Sequence, residues 1–166
     1  DMINSKKTEA LGYRGLMEQN LKNHDYHHAF LYGEKLFSLN PNIEKLYETL
    51  IFIAAKTKNW NQLILLSDKA FSNKIINKND LSENKSIGYY EIAKIKSESE
   101  IKDALKNVLK AIELKKSFAP YIKLHLEILA NLNDKRNLSK QIKKYWNLNQ
   151  TSLLRSIITK IIIQNN

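Results

Sequence analysis

Residues 26–37 read YHHAFLYGEKLF, and 34 positions further on residues 60–71 read WNQLILLSDKAF. The two share few identities. Even so, Ala29, Gly33, Leu36 and Phe37 align with Leu63, Ser67, Ala70 and Phe71, apolar or small residues at offsets i, i+4, i+7 and i+8. A step of 41 brings Ala104, Val108, Ala111 and Ile112 of IKDALKNVLKAI (101–112). A further 34 brings Leu138, Ile142, Tyr145 and Trp146 of KRNLSKQIKKYW (135–146). Those offsets trace one stripe of an α-helix. The stripe is written four times.

Each stripe is preceded by a second helical pattern. Tyr13, Leu16 and Leu21 return as Tyr47, Leu50 and Ala55, then as Ile87, Tyr90 and Ala93, then as Tyr121, Leu124 and Ile128. Short polar breaks separate the members of a pair: NHD (23–25), KTKN (56–59), SES (97–99) and NDK (133–135). NPN (40–42), SNKIINKND (72–80) and KKS (115–117) separate one pair from the next, and the seven extra residues of the 41-residue interval fall in 72–80. Ser117 can cap the helix whose first turn accepts Pro120, where a missing N–H costs nothing. A helix–turn–helix unit of 34 residues is the tetratricopeptide period. The expected fold is therefore all-α: a tetratricopeptide-like α-solenoid forming one repeat domain over 1–166. Its repeats span about 5–40, 41–75, 80–116 and 117–149. SLLRSIITKIII, with Leu154, Ile157, Ile158 and Ile161 on one side, supplies a capping helix over 151–163. A single pair cannot bury its apolar face, so stacking must supply stability.

Composition removes several classes of chemistry. With no Cys there are no disulfides, thiolate metal sites or Cys nucleophiles. No apolar run reaches the roughly 18 residues of a membrane span. The start DMINSKK, lacking both an initiator Met and a signal peptide, leads us to expect a fragment with further chain upstream. The net charge is +10. Lys135, Arg136, Lys140, Lys143, Lys144, Arg155 and Lys160 fall in the last 32 residues with no Asp or Glu among them. Such a tail suits nucleic acid, anionic lipid or an acidic protein face, or is simply a solvated face.

Three of the four histidines sit in HDYHH (24–28). In repeat register Asp25 falls on Asn59, Tyr26 on Trp60, and His27 and His28 on Asn61 and Gln62. Asp25 is thus expected as the N-cap, its carboxylate accepting orphan N–H groups. His24 lies in the turn, off the face of His28, and no Glu stands at ligand spacing, so no metal site is expected. Gly12 and Gly15 of LGYRGL lie inside a helical pattern, where close approach of a neighbouring helix is the expected reason for them. No phosphate loop, HExxH or nucleophile elbow is present. We expect no catalytic residues, no cofactor and no enzyme activity.

The segment LGYRGLMEQNLKNHDYHHAFLYGEKLFSLNPN resembles the repeat region of the HemY family, proteobacterial inner-membrane tetratricopeptide proteins associated with haem biosynthesis. The likeness continues through Asn59-Trp60, ALKNVLKAIELKKSFAP (104–120) and KKYW (143–146). WNLNQTSLL (146–154) departs from the Pro- and His-containing turn common in that family. The resemblance implies membrane helices upstream of Asp1, a soluble repeat region on the cytoplasmic side of the bacterial inner membrane, and a scaffold for protein partners, haem-biosynthesis enzymes among them.

First helices of the pairs would line a groove, with Tyr13, Arg14, Tyr47 and Tyr89 as expected partner contacts and Lys140, Lys143 and Lys144 as basic ones. Two alternatives stand beside this. One is direct porphyrin or haem binding near His125 or the 24–28 histidines. The other is nucleic-acid or anionic-lipid binding through residues 135–160. Aromatics interleave the tail only at Tyr145 and Trp146, both assigned to the ladder, so no specific nucleic acid is expected.

Overall fold

The computed structural model describes residues 2–40, 43–148 and 152–164. Among them run nine helices: α1 (Met2–Lys22), α2 (Tyr26–Leu39), α3 (Glu44–Lys56), α4 (Trp60–Ser72), α5 (Lys78–Lys96), α6 (Ile101–Leu114), α7 (Ala119–Asn131), α8 (Lys135–Leu148) and α9 (Ser152–Gln164). The class is all-α and tetratricopeptide-like. Pro41, Asn42 and residues 149–151, which carry two of the expected boundaries, lie outside the described residues, as does the Leu154 side chain. Contacts divide the chain into two compact units, Asp1–Leu81 and Ser82–Asn166, with the division inside α5.

The turns show why the pairs form. His24, Lys58 and Asn133 adopt left-handed backbone, with φ of 58°, 56° and 53°. Each ends its helix in a Schellman arrangement. Lys58 N–H donates to Ala55 O and Asn59 N–H to Ala54 O, and the same pattern closes α1 and α7. The residue after each left-handed position then caps the next helix. Asp25 accepts from His28 N–H at 3.1 Å, Asn59 from Gln62 N–H at 3.3 Å and Asp134 from Asn137 N–H at 3.1 Å. One residue closes one helix and opens another, which leaves few orphan groups in a three-residue turn. The third turn differs. Glu100 makes no side-chain cap, and Lys96 instead holds Glu100 at 2.6 Å and Asp103 at 3.0 Å.

In the first unit α2 packs on both α1 and α3, and α3 on α4. Gly33 sets the spacing: a Cβ there would meet Leu50 Cδ2 at 2.6 Å and Met17 Sδ at 3.3 Å. Ala29, Leu36, Leu63, Ser67 and Ala70 are buried as the ladder requires, and Ser67 returns its hydroxyl to Leu63 O at 2.7 Å. The fourth rung is weaker, since Phe37 is half-buried and Phe71 exposed. On α3 the buried stripe is Leu46, Tyr47, Leu50, Ile53 and Ala54, while Ala55 faces solvent. Among the described side chains of α1 Met17 is the buried one, and Leu16 is exposed. The expected first-helix stripe thus holds at Tyr47 and Leu50 and fails at Leu16 and Ala55, whose neighbours Met17 and Ala54 are buried instead. Gly12 and Gly15 approach nothing: each is exposed, and an added Cβ would have no neighbour within 4 Å. The close approach that the sequence suggested for them belongs to Gly33.

In the second unit α7 is the centre, packing on α6, α8 and α9. Ala93, Ala104, Val108, Leu124 and Ile128 form one cluster. Ile122, Leu126, Leu129, Leu138, Tyr145, Ile158 and Ile161 form another, so α9 does cover this end of the core. Tyr121 lies between Tyr90 and Phe118, at 4.9 and 4.6 Å between ring centroids, and its hydroxyl donates to buried Ser86 at 3.2 Å. The N-cap of α7 is Phe118 rather than Ser117, with Pro120 in the first turn as expected. The extra residues of the long interval are mostly not loop. The α4–α5 connection has five residues against four between α2 and α3, and α5 has 19 against 13 in α3.

Two glycine sites should respond oppositely. Gly33→Ala should lower the urea unfolding midpoint, because overpacking against buried Leu50 costs about 1–3 kcal/mol and outweighs the helix propensity gained. Gly12→Ala and Gly15→Ala should each raise stability by up to about 1 kcal/mol. Equal effects at all three positions would contradict this packing.

Candidate functional site

The side chains expected to line a first-helix groove meet different fates. Tyr13 is half-buried and stacks on Tyr32 of α2, with centroids 6.3 Å apart, and Lys35 Nζ stands 5.4 and 5.6 Å from the two rings. Its hydroxyl donates to Glu9 at 3.1 Å, and that carboxylate raises its pKa. Arg14 is exposed and pairs with Glu18 one turn on, at 2.9 Å. Tyr47 is no surface contact. It is 2 % exposed, packs edge-on against Phe37 at 4.9 Å and accepts a hydrogen bond from Asn73 Nδ2 at 2.7 Å. Its place on the apolar stripe of α3 explains this, for a ring there points inward.

An aromatic missed by sequence reasoning stands on the outer side of the same helix. Phe52 is 47 % exposed, and with Leu21, His24, Tyr26, Glu48 and Thr49 it lines an open recess of α1, the first turn and α3. Tyr26 meets Phe52 edge-on at 6.0 Å, His24 Nδ1 lies 3.2 Å from the Tyr26 hydroxyl, and Lys56 Nζ is 5.4 Å from the Phe52 ring centre. The signal was present in EKLYETLIFIAAK: Phe52 falls off the buried stripe, so a large ring had to stand in solvent.

HDYHH is a helix start, as the register implied. Asp25 caps α2, and the hydrogen bonds from the His28 backbone and ring hold its carboxyl below the usual range. His28 Nδ1 is 2.7 Å from Asp25 Oδ2, His27 and His28 are exposed, and His24 sits in the turn. Among the described residues no group of three or more His, Asp or Glu side chains is placed to hold a metal ion. Nor, among them, is any helix long and apolar enough to cross a membrane.

In the second unit Tyr89 is half-buried with Lys110 Nζ 4.9 Å over its ring. Lys140, Lys143 and Lys144 are all exposed on α8 but do not act together. Lys143 borders a recess with α9. Lys144 borders one with α6, beside Leu109, Ile112 and Glu113. Trp146, placed in the core by the ladder, is 44 % exposed and carries Arg155 of α9 at 5.6 Å from its ring. His125 is 3 % exposed, with Nδ1 at 2.7 Å from the Tyr145 hydroxyl. That ring nitrogen is committed to Tyr145 inside the core, which disfavours His125 as an axial ligand.

No protein-family model matches the chain, and no curated protein matches it by sequence. Among solved structures it is similar to MamA 41-end from Desulfovibrio magneticus RS-1, at 12 % identity over 87 % of this chain and 97 % of that one, with a TM-score of 0.40. It is similar too to TTC0263, a thermophilic TPR protein of Thermus thermophilus, at 15 % identity over 93 % and 82 %, with a TM-score of 0.41. YrrB, a TPR protein with an unusual peptide-binding site, stands at 12 % identity over 96 % of each chain, with a TM-score of 0.42. The fold described above rests on this chain's own helix pairs.

Burial, with Lys144 a lesser cause, lowers the pKa of His125 from 6.5 to about 4, and burial pushes Tyr145 up to about 12. Neutral His125 shares one hydrogen bond with the Tyr145 hydroxyl through Nδ1. The unfolded chain takes up this proton near 6.5 while the folded chain resists until about 4, so stability present above pH 6.5 is lost as pH falls through that window. The loss should be about 3 kcal/mol. Urea titrations between pH 7 and 4 should show it for the native chain. Little difference from His125→Phe across that range would contradict it.

Proposed function

We propose that the chain is a non-catalytic protein-interaction scaffold whose four helix pairs act as one domain over 1–166. The observation that carries this reading is the recess around Phe52. A half-exposed ring with Leu21 and Tyr26 beside it, Glu48 and His24 at its edge and Lys56 above it forms an apolar floor with a polar rim. That is the arrangement of a binding anchor, where an aromatic contributes large area and polar neighbours set orientation. Nothing around it resembles a nucleophile with its base.

The finer reading draws on the resemblance of LGYRGL and its companion segments. We place the scaffold in a membrane-attached protein of the bacterial inner membrane, its repeats on the cytoplasmic side, with haem-biosynthesis enzymes as partners. Direct haem binding has less support, since His125 is sealed against Tyr145.

Affinity capture with the full-length protein from its own host, read by mass spectrometry, tests both levels. Tetrapyrrole-synthesis enzymes should be recovered, and Phe52→Ser should reduce their recovery about tenfold while circular dichroism stays unchanged. Partners retained equally by the Phe52 variant would remove the anchor. A partner set without tetrapyrrole enzymes would remove the haem assignment alone.

A further inference from the structure

A second docking surface lies wholly within the second unit and is independent of the recess around Phe52. Along α8, Lys135, Leu138, Ser139, Ile142, Lys143 and Trp146 follow at helical spacing and form one wall of a groove. The last turn of α7 gives its floor through Leu129 and Ala130, and α9 gives the facing wall through Ile161 and Ile162. The part nearest α7 encloses about 350 Å³. It continues past Ile142, Lys143 and Ile162 to Trp146 and Asn147. Its length from Lys135 to Trp146 is three helical turns, about 16 Å. Apolar and cationic groups alternate along it, with Leu138, Ile142 and Trp146 supplying contact and Lys135 and Lys143 standing exposed at the rim.

Charge decides what fits. From Lys135 to Asn166 the chain carries seven Lys or Arg and no acid. Asp134, the carboxylate that borders the inner end of the groove, is engaged by Asn137 at the start of α8. Among the described residues Lys135 and Lys143 form no ion pair. A second copy docking by the same surface would set those like charges against one another. A bilayer surface reaches protruding groups, whereas Leu138 and Ile161 are buried at the base of a recess. A helix can enter such a recess with apolar residues at i, i+4 and i+7 and with carboxylates on either flank.

We propose that the α7–α8–α9 groove binds an acidic amphipathic helix of a partner protein. Its apolar ridge lies along Leu138, Ile142 and Trp146, and its carboxylates meet Lys135 and Lys143. Binding is tested on the whole chain by fluorescence anisotropy with a labelled three-turn helical peptide bearing Leu along one ridge and Glu elsewhere. The same peptide with Lys in place of Glu and phosphatidylserine vesicles are the comparisons. Lys135→Glu with Lys143→Glu should weaken the acidic peptide about tenfold or more. The same charge change at Lys140 and Lys144, which lie off the groove, should cost no more than about threefold. All four positions are exposed, so the helical circular dichroism should be preserved in both variants. Equal losses in the two variants would overturn the proposal, as would equal binding of the Lys peptide. So would binding to the vesicles without binding to the acidic peptide.

Discussion

How near two helices can come decides the rest of this molecule. Gly33 lets α2 settle so close to Leu50 and Met17 that an added Cβ would stand 2.6 Å from Leu50 Cδ2 and force it to shift. Ala29, Ser67, Ala70, Ala104 and Ala111 are the small buried residues of their own helices. Close approach turns a thin amphipathic stripe into a dry interface. Dispersion contacts fall away over fractions of an ångström, so a slightly wider spacing would lose much of the packing at once. The larger residues, Tyr47, Leu50, Ile53 and Leu63 in one unit and Tyr121, Ile122, Leu126 and Ile128 in the other, then fill what the small ones leave open.

Much of this was written in the sequence. The period, the second helices, Asp25 as a cap and α9 as a cover follow from spacing and from the chemistry of short polar side chains, which are local properties. What escaped was set by neighbours. The outward direction of Gly12 and Gly15, the burial of Ala54 in place of Ala55, and the half-exposure of Trp146 depend on which helix lies opposite. Spacing alone places residues on a face without saying what that face meets. The interval of 41 shows the same limit, because a count of residues does not distinguish a longer loop from a longer α5.

The candidate surfaces were less legible than the fold for a related reason. Tyr13, Arg14, Tyr47 and Tyr89 stand out by residue type, and type does not separate a ring that fills the interior from one that faces a partner. Phe52 is recognised instead by misfit, as a large ring outside the buried stripe of α3, and the α8 groove by a stripe residue, Trp146, that its neighbours leave half-exposed. The basic residues of α8 divide in the same way. Lys143 and Lys144 are adjacent in the chain yet border recesses on different sides of the helix.

The left-handed turn residues carry a further consequence. His24, Lys58 and Asn133 occupy equivalent places with three unrelated side chains, because the turn is held by main-chain hydrogen bonds that every one of them can make. Shape at these corners is therefore stored in the backbone, and the letters above it are free to wander. A fold whose corners work this way can lose almost all resemblance among its own repeats while every helix still turns at the same beat.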